Sequence, residues 1–301
     1  MSGPLIRHSP SQGSDSPDVW GIYDAPTGSV QYVVVCPATR KAALIDVVRG
    51  FDPASCATDT VSMDAVLDLV CREGLMVVHV LDTHPHADHL MASALLCERI
   101  GAPTAIGAMV REIADLWRGL YNMPDAFDVD RHFDRLLEDG DTFAVGDLAV
   151  RVMLSPGHTL GSVSFVVGDD AAFVHDTLMY PDMGTARCDF PGGSAAELWA
   201  SIQTILALPE ATRLFVGHDY GAEGRDEPIW EATVAEHLAS NKHVHRGADR
   251  DAWIAAREAR DATLALPARM LAALQVNLRG GQLPPAEEDG HRYLRMPLDR
   301  F

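Results

Sequence analysis

Thr83-His84-Pro85-His86-Ala87-Asp88-His89 crowds three imidazoles and a carboxylate into six residues, directly after the apolar run Val77–Leu81. The run reads as a strand, and a strand that ends there would hold the cluster rigid at the edge of a sheet. Imidazole and carboxylate are ligands that divalent zinc, iron and manganese accept, so the stretch reads as a metal site. Three later residues extend it: His158 in Ser155-Pro156-Gly157-His158-Thr159, Asp176 in Phe173-Val174-His175-Asp176-Thr177, and His218 in Phe215-Val216-Gly217-His218-Asp219. Each lies in a short segment shaped like a strand followed by a turn. With His84, His86, Asp88 and His89 they form a set of seven. An isolated histidine is usually a surface or satisfied core residue, but a whole ordered set argues against coincidence. His8, His79, His132, His237, His243, His245 and His291 show no such pattern and read as surface or ordinary structural residues.

The chain has 301 residues and 47% hydrophobic content, enough to bury a sizeable core. No apolar run approaches the roughly 20 residues of a membrane helix. Residues 1–18 are rich in Ser, Pro and Gly without the apolar centre of a signal peptide, and are expected to be a disordered tail. Five cysteines, Cys36, Cys56, Cys71, Cys97 and Cys188, are scattered and lack a Cys-x-x-Cys pair, which argues for a reducing compartment and a cytoplasmic location. A formal charge of −19 repels phosphate backbones and anionic membranes, so neither nucleic acid nor membrane is an expected partner. An anionic small molecule would need local positive charge from a metal and nearby arginines.

Strand patterns recur at residues 29–35, 42–47, 77–81, 148–154, 162–167, 171–174 and 214–216. Helical patterns lie between them at 62–72, 90–100, 110–116 and 194–208, the last with Ser194 and Glu197 at capping-box spacing. Every ligand-type residue thus follows a strand, which predicts a site built from loops at one rim of the sheets. Asp88 stands where the 90–100 helix would begin and reads as its cap. Two more helices are expected at 251–264 and 268–278, then a loop over 280–290 and a strand-like Tyr293-Leu294-Arg295. This last section would cover the pocket or form a homodimer surface.

The order His-x-His-x-Asp-His, a distant His, an Asp and a last His resembles the metallo-β-lactamase superfamily. The resemblance implies an α+β fold, an αββα sandwich of two mixed β-sheets flanked by helices, over residues 19–240. Residues 241–301 would be a C-terminal helical extension packed on this core. Within the superfamily, Arg187-Cys188-Asp189-Phe190 and His218-Asp219-Tyr220 resemble persulfide dioxygenases, whereas thioester hydrolases of the glyoxalase II type usually carry Arg-Phe-Phe-Glu at the first position.

The dioxygenase resemblance implies that His84, His158 and Asp176 bind one Fe(II), leaving coordination positions at which a thiol persulfide and O2 meet. Sulfite and the parent thiol would be the products, with glutathione persulfide or another low-molecular-weight persulfide as substrate. His86, Asp88, His89 and His218 then form a hydrogen-bonded surround. The alternative is a dinuclear Zn(II) hydrolase of a thioester or lactone, in which they are ligands themselves. A third reading, a degenerate sensing module, fits the intact ligand set poorly.

Tyr220 could donate to the substrate thiol or simply be a core residue, and Arg187 could face an anionic substrate or pair with Asp189. Cys188 would be reactive only if Arg187 lowers its pKa. Two departures stand out. His175 replaces a commonly found Gly, and Asn241-Lys242-His243 stands where glutathione-using members often have Asn-Pro-Arg, leaving Lys242, Arg246 or Arg269 as candidate cations.

Overall fold

Ser29–Val35 is buried along its whole length, so it reads as a continuous apolar run rather than an alternating one. Val30, Tyr32 and Val34 face the space between two sheets, while Val33 and Val35 pack on Met63, Val66 and Leu69 of an outer helix. The computed structural model describes residues 4–301. The first half runs β1 (Leu5–Ser9), β2 (Asp18–Asp24), β3 (Ser29–Val35), β4 (Lys41–Ile45), β5 (Val48–Asp52), β6 (Ala57–Asp59), α1 (Val61–Arg72), β7 (Met76–Leu81), β8 (Leu90–Met91), α2 (Ser93–Ile100) and β9 (Thr104–Gly107). Next come α3 (Val110–Tyr121), α4 (Val129–His132), β10 (Arg135–Leu137), β11 (Thr142–Val145), β12 (Leu148–Leu154), β13 (Val163–Val167) and β14 (Ala171–His175). The chain finishes with α5 (Ala195–Leu206), β15 (Arg213–Val216), β16 (Glu231–Thr233), α6 (Val234–Ser240), α7 (Arg250–Asp261) and α8 (Met270–Asn277).

A seven-stranded sheet of order β1-β2-β3-β4-β7-β9-β10 faces a six-stranded sheet of order β11-β12-β13-β14-β15-β16. Both are mixed, since β4, β7, β9 and β10 run parallel, as do β14 and β15, among antiparallel neighbours. Helices α1 and α2 cover the first sheet through Met63, Val66 and Leu96, and α5 covers the second through Leu198, Ile202 and Ile205. This is the expected αββα sandwich with added C-terminal helices. In the extension, Trp253 of α7 packs against Trp199 of α5, and α8 sends Met270 and Leu274 onto Ile113 and Trp117 of α3.

Four local expectations are corrected. The stretch expected to be a disordered tail is ordered over residues 4–18; its residues 1–3 lie outside the described residues. Here β1 pairs with β2, and the buried Arg213 guanidinium reaches Ser9 and Ser16 and the carbonyls of Pro10 and Pro17. Composition missed this anchor because Arg213 lies far along the chain. The 90–100 helix begins only at Ser93, with Ala92 at its cap, so Asp88 caps nothing there. Ser194 accepts from Glu197 N at 3.3 Å, but the two-way capping box occurs at Thr233 and Glu236 of α6 instead. Residues 293–295 form no strand; Arg295 N donates to Gln275 Oε1 at 2.9 Å, satisfying the backbone through a side chain.

Candidate metal centre

The loops after β7, β12, β14 and β15 meet at one rim and carry, in turn, His84–His89, His158, Asp176 and His218. The rim is stitched across the sandwich: Val30 N donates to Gly217 O at 2.8 Å and Asp219 N to Gly28 O at 2.9 Å. Glycine is required twice. A Cβ at Gly157 (φ +125°) would lie 2.2 Å from Leu198 N of α5, and one at Gly217 would lie 2.9 Å from the Asp176 carboxylate. Both close approaches seat a ligand-type residue beside the glycine.

His84, His158 and Asp176 converge, with one ligand atom of each lying within 4.8 Å of the others. Asp176 Oδ2 is 3.7 Å from His84 Nε2 and 3.5 Å from His158 Nε2, too far for good hydrogen bonds and open enough for an ion between them. The opposite ring nitrogens are anchored: His84 Nδ1 by Thr83 Oγ1 at 3.0 Å, and His158 Nδ1 by the carbonyl of Arg187 at 2.7 Å. His84 Nε2 is buried without a hydrogen-bond partner. Burial, reinforced by His86 and His158, holds His84 well below the ordinary histidine range, and burial also lowers His158 against the pull of Asp176. Burial alone would raise Asp176, but His218 outweighs it and keeps the carboxyl below its usual value. Two neutral imidazoles and one carboxylate are therefore aimed at one point, which is the protonation state a divalent metal needs.

The other four residues surround this triangle. Asp88 Oδ2 accepts from Ser29 Oγ at 2.9 Å and lies 2.7 Å from His218 Nε2, while His218 Nδ1 binds Asp176 Oδ1. Burial would lower His218, yet Asp176 and Asp88 raise it well above normal. His86 turns toward Asp46, with Nε2 and Oδ1 3.0 Å apart, and Asp46 itself accepts from Thr83 N and Thr83 Oγ1 at 2.8 Å each. His86, Asp88 and His89 form a further cluster that could hold an ion, and His89 Nε2 and both His86 nitrogens lack a well-aligned hydrogen bond. His175 adopts φ +40°, where glycine is favoured, and its ring is held by Ser155 and Thr177; burial pushes its pKa down to about 3.

A cavity of about 520 Å³ opens beside Asp88, His158 and Asp176. Tyr220 stands at its wall, 58% exposed and stacked on His218. It is not a core residue. Arg187 also lines the cavity, but its guanidinium binds both Asp189 oxygens, at 2.6 and 2.7 Å, and the Ala265 carbonyl. Its geometry is therefore that of the loop-shaping ion pair. Cys188 donates to Asp261, and burial together with that carboxylate pushes its pKa up to about 12, the reverse of activation. Of the candidate cations, Lys242 lines the cavity, joined by Arg260; Arg246 pairs with Glu210 and Arg269 donates to the Phe51 carbonyl.

Several supporting residues were not foreseen. Asn277 of α8 is fully buried; its Nδ2 donates to the carbonyls of His86 and His89 at 2.7 and 2.8 Å, and its Oδ1 accepts from Met91 N at 2.8 Å. From α7, Asp261 accepts from Cys188 N at 2.8 Å and Arg257 donates to Thr185 O at 3.3 Å. The extension thus grips both the histidine loop and the loop whose Arg187 carbonyl orients His158. Ser29 and Asp46 complete the network. No local sequence pattern marks these residues, since Asn277 and His86 are 191 positions apart.

Comparison with known proteins gives a family model, similar relatives and a similar solved structure. The model of the family described as "Metallo-beta-lactamase superfamily" matches residues 25–218. A beta-lactamase hydrolase-like protein of Xylella fastidiosa is 53% identical over 288 residues, covering 96% of this chain and 66% of that protein. The chain therefore spans just under two thirds of that relative's length. A probable metallo-hydrolase of Burkholderia pseudomallei is 45% identical, covering 93% of this chain and 99% of that protein. The crystal structure of ETHE1 from Myxococcus xanthus superposes with a TM-score of 0.68 at 30% identity, covering 87% of this chain and 98% of that one.

Proposed function

From the premise that this chain belongs to the metallo-beta-lactamase superfamily, with homology to its glyoxalase II and ETHE1-like persulfide dioxygenase branches, we propose that this metal-dependent enzyme is an iron-dependent persulfide dioxygenase. One observation carries the reading: His84, His158 and Asp176 form a two-histidine, one-carboxylate face, while His86 is turned aside to Asp46. The residues fit a single Fe(II), which supplies open positions and redox capacity when bound. In the balanced reaction, R-S-SH, O2 and water give R-SH and sulfurous acid, which ionises to sulfite. The persulfide loses four electrons and dioxygen takes them up.

The chain's own residues do the rest. Thr83 and the Arg187 carbonyl fix the two imidazoles, and the Ser29–Asp88–His218 network holds Asp176. Tyr220 is assigned as a donor to the thiol end of the substrate at the cavity wall. Lys242 and Arg260 make no ion pair among the described residues, unlike Arg187 and Arg257 in the same cavity. In a chain of net charge −19 they are the local positive charge that a carboxylate-bearing persulfide such as glutathione persulfide requires. Replacing both by alanine is expected to raise KM for glutathione persulfide about tenfold or more, at similar kcat. Equal KM for the variant and the wild type would remove them from substrate binding.

A second reading has its own observation: the open nitrogens of His86 and His89 beside Asp88 are suited to a second ion, as a dinuclear zinc hydrolase of a thioester or lactone needs. Protein purified without air or added metal, assayed with glutathione persulfide, separates the two. One iron per chain with equal oxygen uptake and sulfite release is the expected result, and H86A should keep most of that iron. Two zincs, no oxygen uptake and anaerobic thioester turnover would instead establish the hydrolase.

A further inference from the structure

Beside the open cavity lies a second and much smaller one. It is an apolar crevice of about 20 Å³ between α3 and α8, walled by Ile113, Trp117, Phe190, Met270 and Leu274, and ending at His158 and Thr159. Ala87, His158 and Phe190 border both spaces, so the crevice adjoins the candidate metal centre, and Lys242 and Arg260 line the larger cavity but not the crevice. Phe190 is the partition between them. Its ring meets His158 edge-on at 5.2 Å, and the Arg187 guanidinium lies 4.8 Å over its centroid, so the wall is held from two directions.

The volume is enough for one small molecule, and the question is which. Water needs two to four polar partners to stay in such a space. Of its three polar side chains two are already engaged, Thr159 Oγ1 with Ser162 Oγ at 2.7 Å and His158 Nδ1 with the Arg187 carbonyl, and the Trp117 indole N–H is a single donor, short of the partners that water needs. The remaining imidazole nitrogen faces Asp176. A charged or hydrogen-bonding substrate is excluded by size and by lining. An apolar diatomic gas loses nothing by leaving water for this environment.

We propose that the crevice is a gas pocket that passes dioxygen to the centre, separately from the polar substrate in the larger cavity. This rests on the dioxygenase reading above, and it gives the two reactants different routes. The persulfide enters past charged residues, and oxygen enters through the α3–α8 seam. A substrate filling the larger cavity then leaves the supply of oxygen open.

The test begins with crystals of the full chain pressurised with xenon, an apolar probe whose binding requires neither metal nor turnover. A xenon peak among Ile113, Phe190 and Leu274 is expected. L274F, from α8, and I113F, from α3, should each abolish the peak and raise KM for oxygen about fivefold, while KM for persulfide stays within about twofold. Thermal unfolding and metal content of both variants are read alongside, and either folded variant suffices. Ordered water in place of xenon overturns the proposal, as does an unchanged oxygen KM once the peak is gone. Xenon in the crevice with no oxygen uptake by the wild type on any persulfide overturns the dioxygenase reading and the oxygen route with it. Oxygen uptake without xenon overturns the gas pocket alone.

Discussion

Asp176→Ala is expected to leave the chain with almost no metal and no turnover. Replacing residues that merely orient ligands typically lowers metal affinity about 10–100-fold, so removing a proposed direct ligand is expected to exceed that range. Metal content should fall from about one ion per chain to below about a tenth after dialysis, and activity at least about a hundredfold. Asp176 is also the acceptor for His218 and the one anion facing both His84 Nε2 and His158 Nε2. Without it, His218 loses its nearest compensating charge, and His84 and His158 lose the carboxylate that faces them. Asp176→Asn separates the two consequences. It keeps the volume and most hydrogen-bonding capacity beside Gly217, so it should fold like the wild type yet still lose the ion. Element analysis and circular dichroism on the two variants read both quantities. A folded D176N that retains a full complement of metal would sink the assignment of Asp176 as a ligand.

Legibility in the sequence followed how local each constraint is. The run Ser29–Val35 and the strands ending before His158 and Asp176 could be read because a buried strand demands apolar residues at consecutive or alternate positions. The seven ligand-type residues could be read because metal donors in loops after strands leave a signature of type and order. Short elements such as β5, β8 and β16 escaped, since Val-Arg-Gly-Phe-Asp, Leu-Met and Glu-Ala-Thr carry neither a sustained apolar run nor an alternation, and their pairing partners lie elsewhere in the chain. The ordering of residues 4–18 escaped because Arg213 anchors that stretch across roughly 200 positions. Cys188 shows the same limit in the chemistry. Its neighbour Arg187 invites an activated thiol, but the residue that decides its state is Asp261, brought in by α7.

Asn277 is the sharpest case of such a distant contact, and its replacement should cost the most stability for the smallest change in volume. Its amide serves three backbone groups of the histidine loop and the short strand after it: the carbonyls of His86 and His89, and Met91 N. All three contacts are buried, and a leucine of similar size would exclude water while satisfying none of them. Each orphaned buried group costs about 1–3 kcal/mol, and partial relaxation of the loop makes about 3–5 kcal/mol a reasonable total for Asn277→Leu. The cost also falls on function. The loop that moves to recover its hydrogen bonds is the one that presents His84, so metal affinity should drop about 10–100-fold even though Asn277 is not positioned as a ligand. Chemical denaturation with and without saturating metal distinguishes this from simple core damage. If α8 acts by holding the loop, saturating metal will widen the stability gap between N277L and the wild type by about 1–3 kcal/mol, because the variant binds the ion about 10–100-fold more weakly; simple core damage would leave the gap the same with and without metal. An N277L protein that unfolds within about 1 kcal/mol of the wild type and binds metal equally well would mean that the extension covers the centre without shaping it.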